Sequence, residues 1–428
     1  MELEETQEET KKIKLEEEYY NIFILTLNCF ETKPQGKLDY EELLKSKNPA
    51  DLQDIVIVGL QEIISAGIMK KVFSSKVDAK DIMAIAIEIQ EALKNINSGS
   101  EYVLAACESK FTMATLFFCR KEIKDSIENI KTKWEDISKP FISIKGCNLV
   151  RFDIKDFGSL IFVNSHFPSG EEESNNKYRT HAFESINKIV MKDTKDKYFY
   201  KDHDIQFIFG DLNFRVDIPF DDIIDEINSK DHADQVLIED MLKKDQLNMF
   251  KAQDSEAAEL EEMKINFLPT YKINREKGNY ELEKCRMPSW CDRILWHQNK
   301  ETKYKFKVKG NFYESRLAKV KSEDDEQLFN FSDHHPVIAE FKITKEEWED
   351  VKLSEPDIHI VKSEKPIESG RPSAGKKLIR KAKPVEKKGA SIEKFEVDEE
   401  YKLRDFVDET KDGKQEPPAS KAWCCLWR

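Results

Sequence analysis

What this 428-residue chain lacks narrows its class before any motif is read. No stretch approaches the run of about eighteen apolar residues that a membrane-spanning helix needs. No apolar segment follows a basic start, since Met1 to Glu18 is mostly Glu, Lys and Thr, so secretion is not expected. The eight cysteines include no pair at CxxC spacing. Cys29, Cys107 and Cys119 sit inside apolar runs, where a thiol packs as a small hydrophobe. A reducing cytosol is the expected compartment. Internal repeats are absent. Positive charge is in deficit, with 69 Lys and Arg against 83 Asp and Glu and a net charge of −14. A polyanion such as nucleic acid would be repelled at long range, although a local basic pocket remains compatible with that balance.

What is present points to one large domain and a tail. The residues are 39% hydrophobic and 36% charged, a high charge content for a purely globular chain, which unstructured ends would account for. From Tyr20 to Lys345, apolar runs of strand length alternate with amphipathic segments. The expected strands are 21–27, 54–60, 102–107, 112–119, 149–154, 159–164, 204–209, 293–296 and 337–341, mostly rich in Ile, Val and Phe. The pair 102–107 and 112–119 has the look of a hairpin. Ile82, Ile85, Ile89, Leu93 and Ile96 recur at helical spacing and predict a helix over 80–95, with further helices over 182–191 and 231–247. Mixed connectivity of this kind favours sheets packed face to face with helices outside, an α/β class.

The expected domain plan is a flexible acidic N-terminus over 1–19, a catalytic domain over 20–345 and a disordered tail over 346–428. Pro, Ser, Lys and Glu dominate the tail, with too few large apolar residues to offset the entropy of ordering. Within it, 371–388 holds eight Lys or Arg and one Glu, and the chain closes on Trp423-Cys424-Cys425-Leu426-Trp427 before Arg428.

Several strand ends carry groups suited to phosphoester chemistry. Hydrolysis of a phosphate monoester needs a cation for the phosphoryl oxygens, a polarised water and a stabiliser for the leaving alkoxide. Magnesium favours carboxylate and amide oxygens, which Glu62 and Asn28 could supply. A strand-end carboxylate can equally be a solvated turn residue. Asp211 and Asn213 flank Leu212, so in an extended segment both would face one side and together orient a water; an Asx turn is the alternative. Asp333 and His334 precede Pro336, which excludes a helix there. Asp292 could fix the His334 ring by a hydrogen bond to one nitrogen, or instead pair with a neighbouring Arg. His166 is a second candidate imidazole.

These elements occur in a telling order: Thr26-Leu27-Asn28, Gln61-Glu62, Asn164-Ser165-His166, Phe209-Gly210-Asp211-Leu212-Asn213-Phe214-Arg215, Pro269-Thr270-Tyr271-Lys272, Lys284-Cys285-Arg286-Met287-Pro288-Ser289-Trp290-Cys291-Asp292-Arg293 and Ser332-Asp333-His334. Together they resemble the inositol polyphosphate 5-phosphatases of the endonuclease/exonuclease/phosphatase superfamily, over about Tyr20 to Lys345. The resemblance implies a four-layer α/β/β/α sandwich of the DNase I-like type and a Mg²⁺ ion held mainly by Glu62 with Asn28 nearby. It assigns water activation to Asp211 helped by Asn213, contact with the scissile phosphate to His334 oriented by Asp292, the leaving-group side to His166, and membership of the same polar shell to Asp333. It also implies that Tyr271, Lys272, Lys284 and Arg286 grip a neighbouring 4-phosphate. Leu27 and Ile208 stand where family members commonly carry Trp, both expected to be packing positions. The expected activity is removal of the 5-phosphate from phosphatidylinositol 4,5-bisphosphate and related phosphoinositides or inositol polyphosphates.

Glu171, Glu172 and Glu173 lie in a loop expected near the substrate. They are unhelpful at an anionic bilayer, which leaves room for a soluble inositol phosphate; Arg179 is placed near the same loop and could reach inward. Against that, the basic block 371–388 and acylation of Cys424 or Cys425 would together make a two-signal membrane anchor, for a cytoplasmic enzyme peripheral on membranes. An unmodified tail is the plainer alternative. A nuclease with the same metal core and a silent membrane scaffold are the competing functions. The acidic balance disfavours the first, and the presence of Glu62, Asp211, Asn213 and His334 disfavours the second.

Overall fold

Alternation of apolar residues along each strand sorts them onto two faces, and that sorting builds the layers. The computed structural model describes residues 18–48, 52–63, 79–137, 145–192, 197–228, 234–253, 255–302, 304–321 and 328–346. The chain divides into two units, 1–353 and 354–428. The basic block 371–388, Cys424, Cys425 and nearly all of the two expected flexible ends lie outside the described residues.

Fifteen strands appear among the described residues: β1 (Tyr19–Asn28), β2 (Ile55–Gln61), β3 (Tyr102–Lys110), β4 (Met113–Arg120), β5 (Ile127–Glu135), β6 (Gly146–Ile154), β7 (Gly158–His166), β8 (Val190–Lys192), β9 (Lys197–Phe199), β10 (Ile205–Asp211), β11 (Asp292–Gln298), β12 (Lys305–Ser315), β13 (Lys319–Lys321), β14 (Leu328–Asn330) and β15 (Val337–Glu346). One sheet has the order β12-β15-β1-β2-β4-β3 and the other β11-β10-β7-β6-β5, while β8–β9 and β13–β14 form small hairpins. Both large sheets are mixed, with β1 parallel to β2 and β7 parallel to β10.

The inner faces meet in one apolar layer. Ile22, Ile24, Ile55, Ile57, Phe117, Phe152, Phe162, Phe207, Phe209 and Ile294 are all buried there. Phe117, Phe152, Phe162 and Phe207 stack in sequence, with centroids 4.3, 5.7 and 4.9 Å apart. The residues between them face outward. Phe23, Leu25, Val56 and Val58 pack with Ile82, Ile85, Ile89 and Leu93 of the helix Ala79–Ile96. On the other side Ile161, Val163 and Ile208 pack with Ala182, Phe183 and Ile186 of the helix Glu173–Asn187. The result is the expected α/β/β/α sandwich.

Several boundaries differ from the sequence reading. The segment 182–191 is helical only to Asn187, and Met191 lies in β8. The described part of 231–247 contains the helix Gln235–Leu242 and the start of a separate helix, Gln246–Lys251, whose N-cap Asp245 accepts from the Asn248 amide and interrupts the run. Strands β5 and β12 were not expected. Their partly exposed residues include Glu128, Lys131, Lys133, Lys305, Lys307 and Lys309, and such edge strands lack the apolar run that marks a buried one. Leu27 and Ile208 are buried packing positions.

The sheets approach closely at Gly59. A Cβ there would lie 2.4 Å from the Phe209 ring and 2.8 Å from the Asn164 side chain. Gly59→Ala should therefore cost about 1–3 kcal/mol through overpacking, read as a lower urea midpoint; unchanged stability would contradict this packing.

Candidate active site

The parity that places Ile and Phe in the inter-sheet layer also places polar groups at one end of it. Continuing the inward series reaches Thr26 and Asn28 on β1, Gln61 on β2, Thr115 on β4, Asn164 and His166 on β7, Asp211 on β10, and Asp292 on β11. Pairing registers then set a row across one sheet: Gly146 opposite His166, His166 opposite Asp211, and Asp211 opposite Asp292.

Hydrogen bonds knit the two sheets together at this end. Asn28 Nδ2 donates to Asp211 Oδ2 at 2.9 Å, and Gln61 Nε2 donates to Asn164 Oδ1 at 2.7 Å. Asn164 Nδ2 in turn donates to Thr115 Oγ1 at 3.0 Å. Burying an amide without such partners would be costly, so this network fixes the spacing at the site.

Asp211 is the hub. Besides Asn28, its Oδ2 lies 3.4 Å from His166 Nε2, and its Oδ1 accepts from the Asn213 amide at 3.1 Å. Burial alone would raise its pKa. The His166 contact and the charge of His334 win and hold it well below the usual carboxylate range. Gly210 allows the close passage: at φ +127°, a Cβ there would lie 2.0 Å from the Ser165 carbonyl oxygen.

Glu62 stands just beyond β2 at φ +51°, with its Oε1 3.5 Å from His166 Nε2 and 3.6 Å from Lys145 Nζ. Burial works to raise its carboxyl, but His166 and Lys145 together hold it below the ordinary value. Lys145 Nζ also contacts His166 Nε2. Burial pulls the ammonium of Lys145 below the ordinary lysine value, against the attraction of Glu62 and Asp211.

His334 and Asp292 form the second centre. His334 Nδ1 donates to Asp292 Oδ2 at 2.8 Å, and Thr270 Oγ1 donates to the same oxygen at 2.7 Å. Burial pushes the Asp292 carboxyl up while His334 and Thr270 oppose it. For His334, burial disfavours the charge, but Asp292 pushes the pKa up to about 9. The Tyr271 ring packs 4.6 Å from the His334 ring and carries the Arg215 guanidinium at 4.4 Å on its centroid. Asp211, Asp292 and His334 each bring a carboxylate oxygen or ring nitrogen within 4.8 Å of the others.

The remaining expected residues divide. Lys272 Nζ pairs with Asp333 Oδ2, and both line a cleft of about 590 Å³ with Phe30, Arg275, Lys284 and Phe329. Arg286 is engaged elsewhere: its Nη1 donates to Glu171 Oε2 at 2.9 Å, which ties the acidic loop to the basic segment. Asn213 takes a φ of +57°, which ends the extended run over which it was expected to share a face with Asp211. Its amide donates to the Phe167 carbonyl, and its oxygen accepts from Arg215 Nη2 at 2.7 Å. The Asp211-Asn213 pair is thus an Asx turn. Arg179 is buried and bonds Pro168 O, Gly170 O and Gln246 Oε1, which shapes the loop from within.

Residues that the sequence reading left without a role include Lys145, Arg215 and Thr270. Arg215 and Thr270 stand inside the quoted motifs. Lys145 follows no recognisable pattern, because a lone lysine before a strand ordinarily points to water.

The family model for Endonuclease/Exonuclease/phosphatase family 2 matches residues 25–340. The chain belongs to that family. It is 27% identical to a synaptojanin of Caenorhabditis elegans over 70% of this chain and 24% of the relative. It is 28% identical to type I inositol polyphosphate 5-phosphatase 8 of Arabidopsis thaliana, over 75% of this chain and 70% of the relative. The chain therefore spans about a quarter of the synaptojanin. The inositol polyphosphate 5-phosphatase domain of SPsynaptojanin, solved with inositol (1,4)-bisphosphate and a calcium ion, superposes with a TM-score of 0.60 at 23% identity, over 76% of this chain and 85% of that one. A Cimex nitrophorin in its ferrous NO complex also superposes, with a TM-score of 0.52 at 20% identity, over 76% and 99% of the two chains. This chain thus shares its fold with a nitrophorin as well as with a phosphatase domain, and function has to be argued from the side chains.

The residues fit a hard divalent cation. Glu62 and Asp211 bring carboxylate oxygens within 3.5 Å of one imidazole nitrogen, which is the donor chemistry such an ion prefers, and the Lys145 ammonium against Glu62 shows that the point attracts positive charge; Asn28 turns Nδ2 to Asp211 while its Oδ1 accepts from the Phe30 amide, so its oxygen would have to be freed to join them.

The His334–Asp292 pair sets a pH signature. Its folded pKa of about 9 exceeds the ordinary 6.5, so the pair's stabilising contribution is full below about pH 6.5 and is lost as pH rises through about 9. In an NMR titration the His334 ring should stay charged at pH 7.5, and Asp292→Asn should lower its midpoint toward 6.5. A midpoint near 6.5 in the unmodified protein would contradict the pairing.

Proposed function

We propose that this chain is a Mg²⁺-dependent phosphatase that removes the 5-phosphate from phosphatidylinositol 4,5-bisphosphate and related phosphoinositides or inositol polyphosphates. The observation that carries this reading is the convergence of Glu62, His166, Asp211, Asp292 and His334 at one end of the inter-sheet layer, beside a cleft bearing Lys272 and Lys284. Glu62, with Asn28 close by, would hold the ion, which when bound neutralises phosphoryl oxygens and polarises water.

The chain's own groups divide the remaining work. Asp211, kept ionised, is a weak base but a strong acceptor, and so suits orienting a water rather than storing its proton. His334, cationic at neutral pH because Asp292 holds Nδ1, has Nε2 left to donate to a phosphoryl oxygen. His166, between Glu62 and Asp211, is placed on the leaving-group side in this scheme. Asn213 contributes through its backbone amide and by seating Arg215.

A neighbouring 4-phosphate would be held by Lys272 and Lys284, with Tyr271 and Arg286 flanking. A dianionic phosphate competes well for a cation against a single carboxylate, so Lys272 would exchange Asp333, and Arg286 would exchange Glu171, for phosphate oxygens. A soluble inositol polyphosphate is the second reading, favoured by the acidic loop that reaches Arg286. For a lipid substrate, the basic block 371–388 and acylation of Cys424 or Cys425 would hold a cytoplasmic enzyme peripherally at the bilayer.

Phosphate release should be measured over vesicle-borne phosphoinositides and soluble inositol phosphates, with and without Mg²⁺. The expected result is Mg²⁺-dependent release from 5-phosphorylated compounds, and a fall in kcat of about 10²–10⁴-fold in Asp211→Ala. Cleavage of DNA with no release from any inositol compound would overturn the proposal. Lys272→Ala should raise KM for a 4,5-bisphosphorylated substrate at least about tenfold, the loss of one charge-assisted contact; an unchanged KM would remove Lys272 from the clamp.

A further inference from the structure

We propose that Lys145 is a tethered counter-cation of the carboxylate pocket, whose ammonium competes with the divalent ion for Glu62. The inference rests on the metal-dependent reading above and adds a residue to it.

The placement follows from the backbone. Gly146, the first residue of β6, lies opposite His166, which in turn lies opposite Asp211, so Lys145 extends the strand at the end of the row that carries the site. Gly146 is itself constrained, since a Cβ would come within 2.7 Å of both the Trp134 ring and the Glu135 carbonyl oxygen. From this fixed start the Lys145 side chain turns inward and keeps only 17% of its surface exposed. Its Nζ reaches Glu62 Oε1 at 3.6 Å and contacts His166 Nε2, the same nitrogen that lies 3.4 Å from Asp211 Oδ2. Glu62 feels the charges of His166, Lys145, Asp211 and His334, Lys145 feels those of Glu62, Asp211 and Arg215, and Glu31 interacts with both.

Two carboxylates that each lie within 3.5 Å of one imidazole nitrogen, Asp211 buried and Glu62 partly exposed, repel each other unless a cation stands near both. An ammonium is a compact point charge with three donors and no acceptor, the organic group nearest in demand to a hard ion. It cannot remain against Glu62 once a divalent ion does, because like charges at that separation repel strongly in a shielded pocket. Lys145 therefore steadies the metal-free protein and lowers its affinity for the ion. A permanent structural ion pair would behave differently: its removal would weaken the protein equally with and without metal and would not tighten metal binding.

Mn²⁺ can serve as the probe in isothermal titration calorimetry of the EDTA-stripped full chain, with thermal melts run alongside. Lys145→Met should bind Mn²⁺ on the order of tenfold more tightly than the unmodified protein. It should melt lower in EDTA and recover at saturating Mn²⁺. Lys145→Arg, which keeps the charge, should resemble the unmodified protein in EDTA. Should Lys145→Met fail to fold without metal, Lys145→Gln carries the same titration. Mn²⁺ binding that is weakened by Glu62→Gln but not tightened by loss of Lys145 overturns the inference and leaves the phosphatase reading standing. Mn²⁺ binding that is indifferent to Glu62 overturns both.

Discussion

The strict two-residue alternation of the central strands is the constraint on which everything else in this structure depends. The same inward parity that stacks Phe117, Phe152, Phe162 and Phe207 at the middle of the sandwich delivers Asn28, Gln61, Asn164, His166, Asp211 and Asp292 at its end. A slip of one residue in any pairing would send that strand's polar group to the outer face and an apolar one into the site. The apolar layer is thus what keeps the chemistry aligned, and the amide bonds Asn28–Asp211 and Gln61–Asn164 set how closely the two sheets approach there.

Electrostatics follows from that placement. Asp211 and Asp292 are both buried, and burial penalises each charge. They differ in company. Asp211 takes bonds from Asn28 and the Asn213 amide with His166 alongside, and stays ionised; Asp292 gives its Oδ2 to Thr270 and His334, and spends its charge on keeping the imidazole cationic. Two carboxylates opposite one another in register thereby acquire different chemistry. Around them Lys145 and Lys272 each sit against a carboxylate, so cations inside an acidic chain are concentrated where an anionic substrate would need them.

Much of this was legible in the sequence. The buried strands were, because Ile, Val and Phe runs ending at Asn28, Gln61 and Asp211 carry both the period and the boundary. Asp211, Asp292 and His334 came as a set through the ordered motifs and the family they resemble, and the fold brings the three together. What stayed hidden has physical reasons. β5 and β12 are edge strands with charged residues on one side, and look like loops. The turn at Asn213 requires a positive φ that Asn tolerates but does not announce. Arg286 was expected at the substrate, yet it pairs with Glu171, a residue 115 positions earlier that only the folded chain brings near. Lys145 is the clearest case, because its inward turn is dictated by carboxylates from other strands.

Crystals soaked in Mn²⁺ and measured at the manganese edge test the central claim, that these strand ends create one cation site, most directly. The account predicts an anomalous peak at coordinating distance, about 2.1 Å, from a Glu62 carboxylate oxygen. A peak bound elsewhere on the molecule, or none beside Glu62 at saturating Mn²⁺, would contradict it.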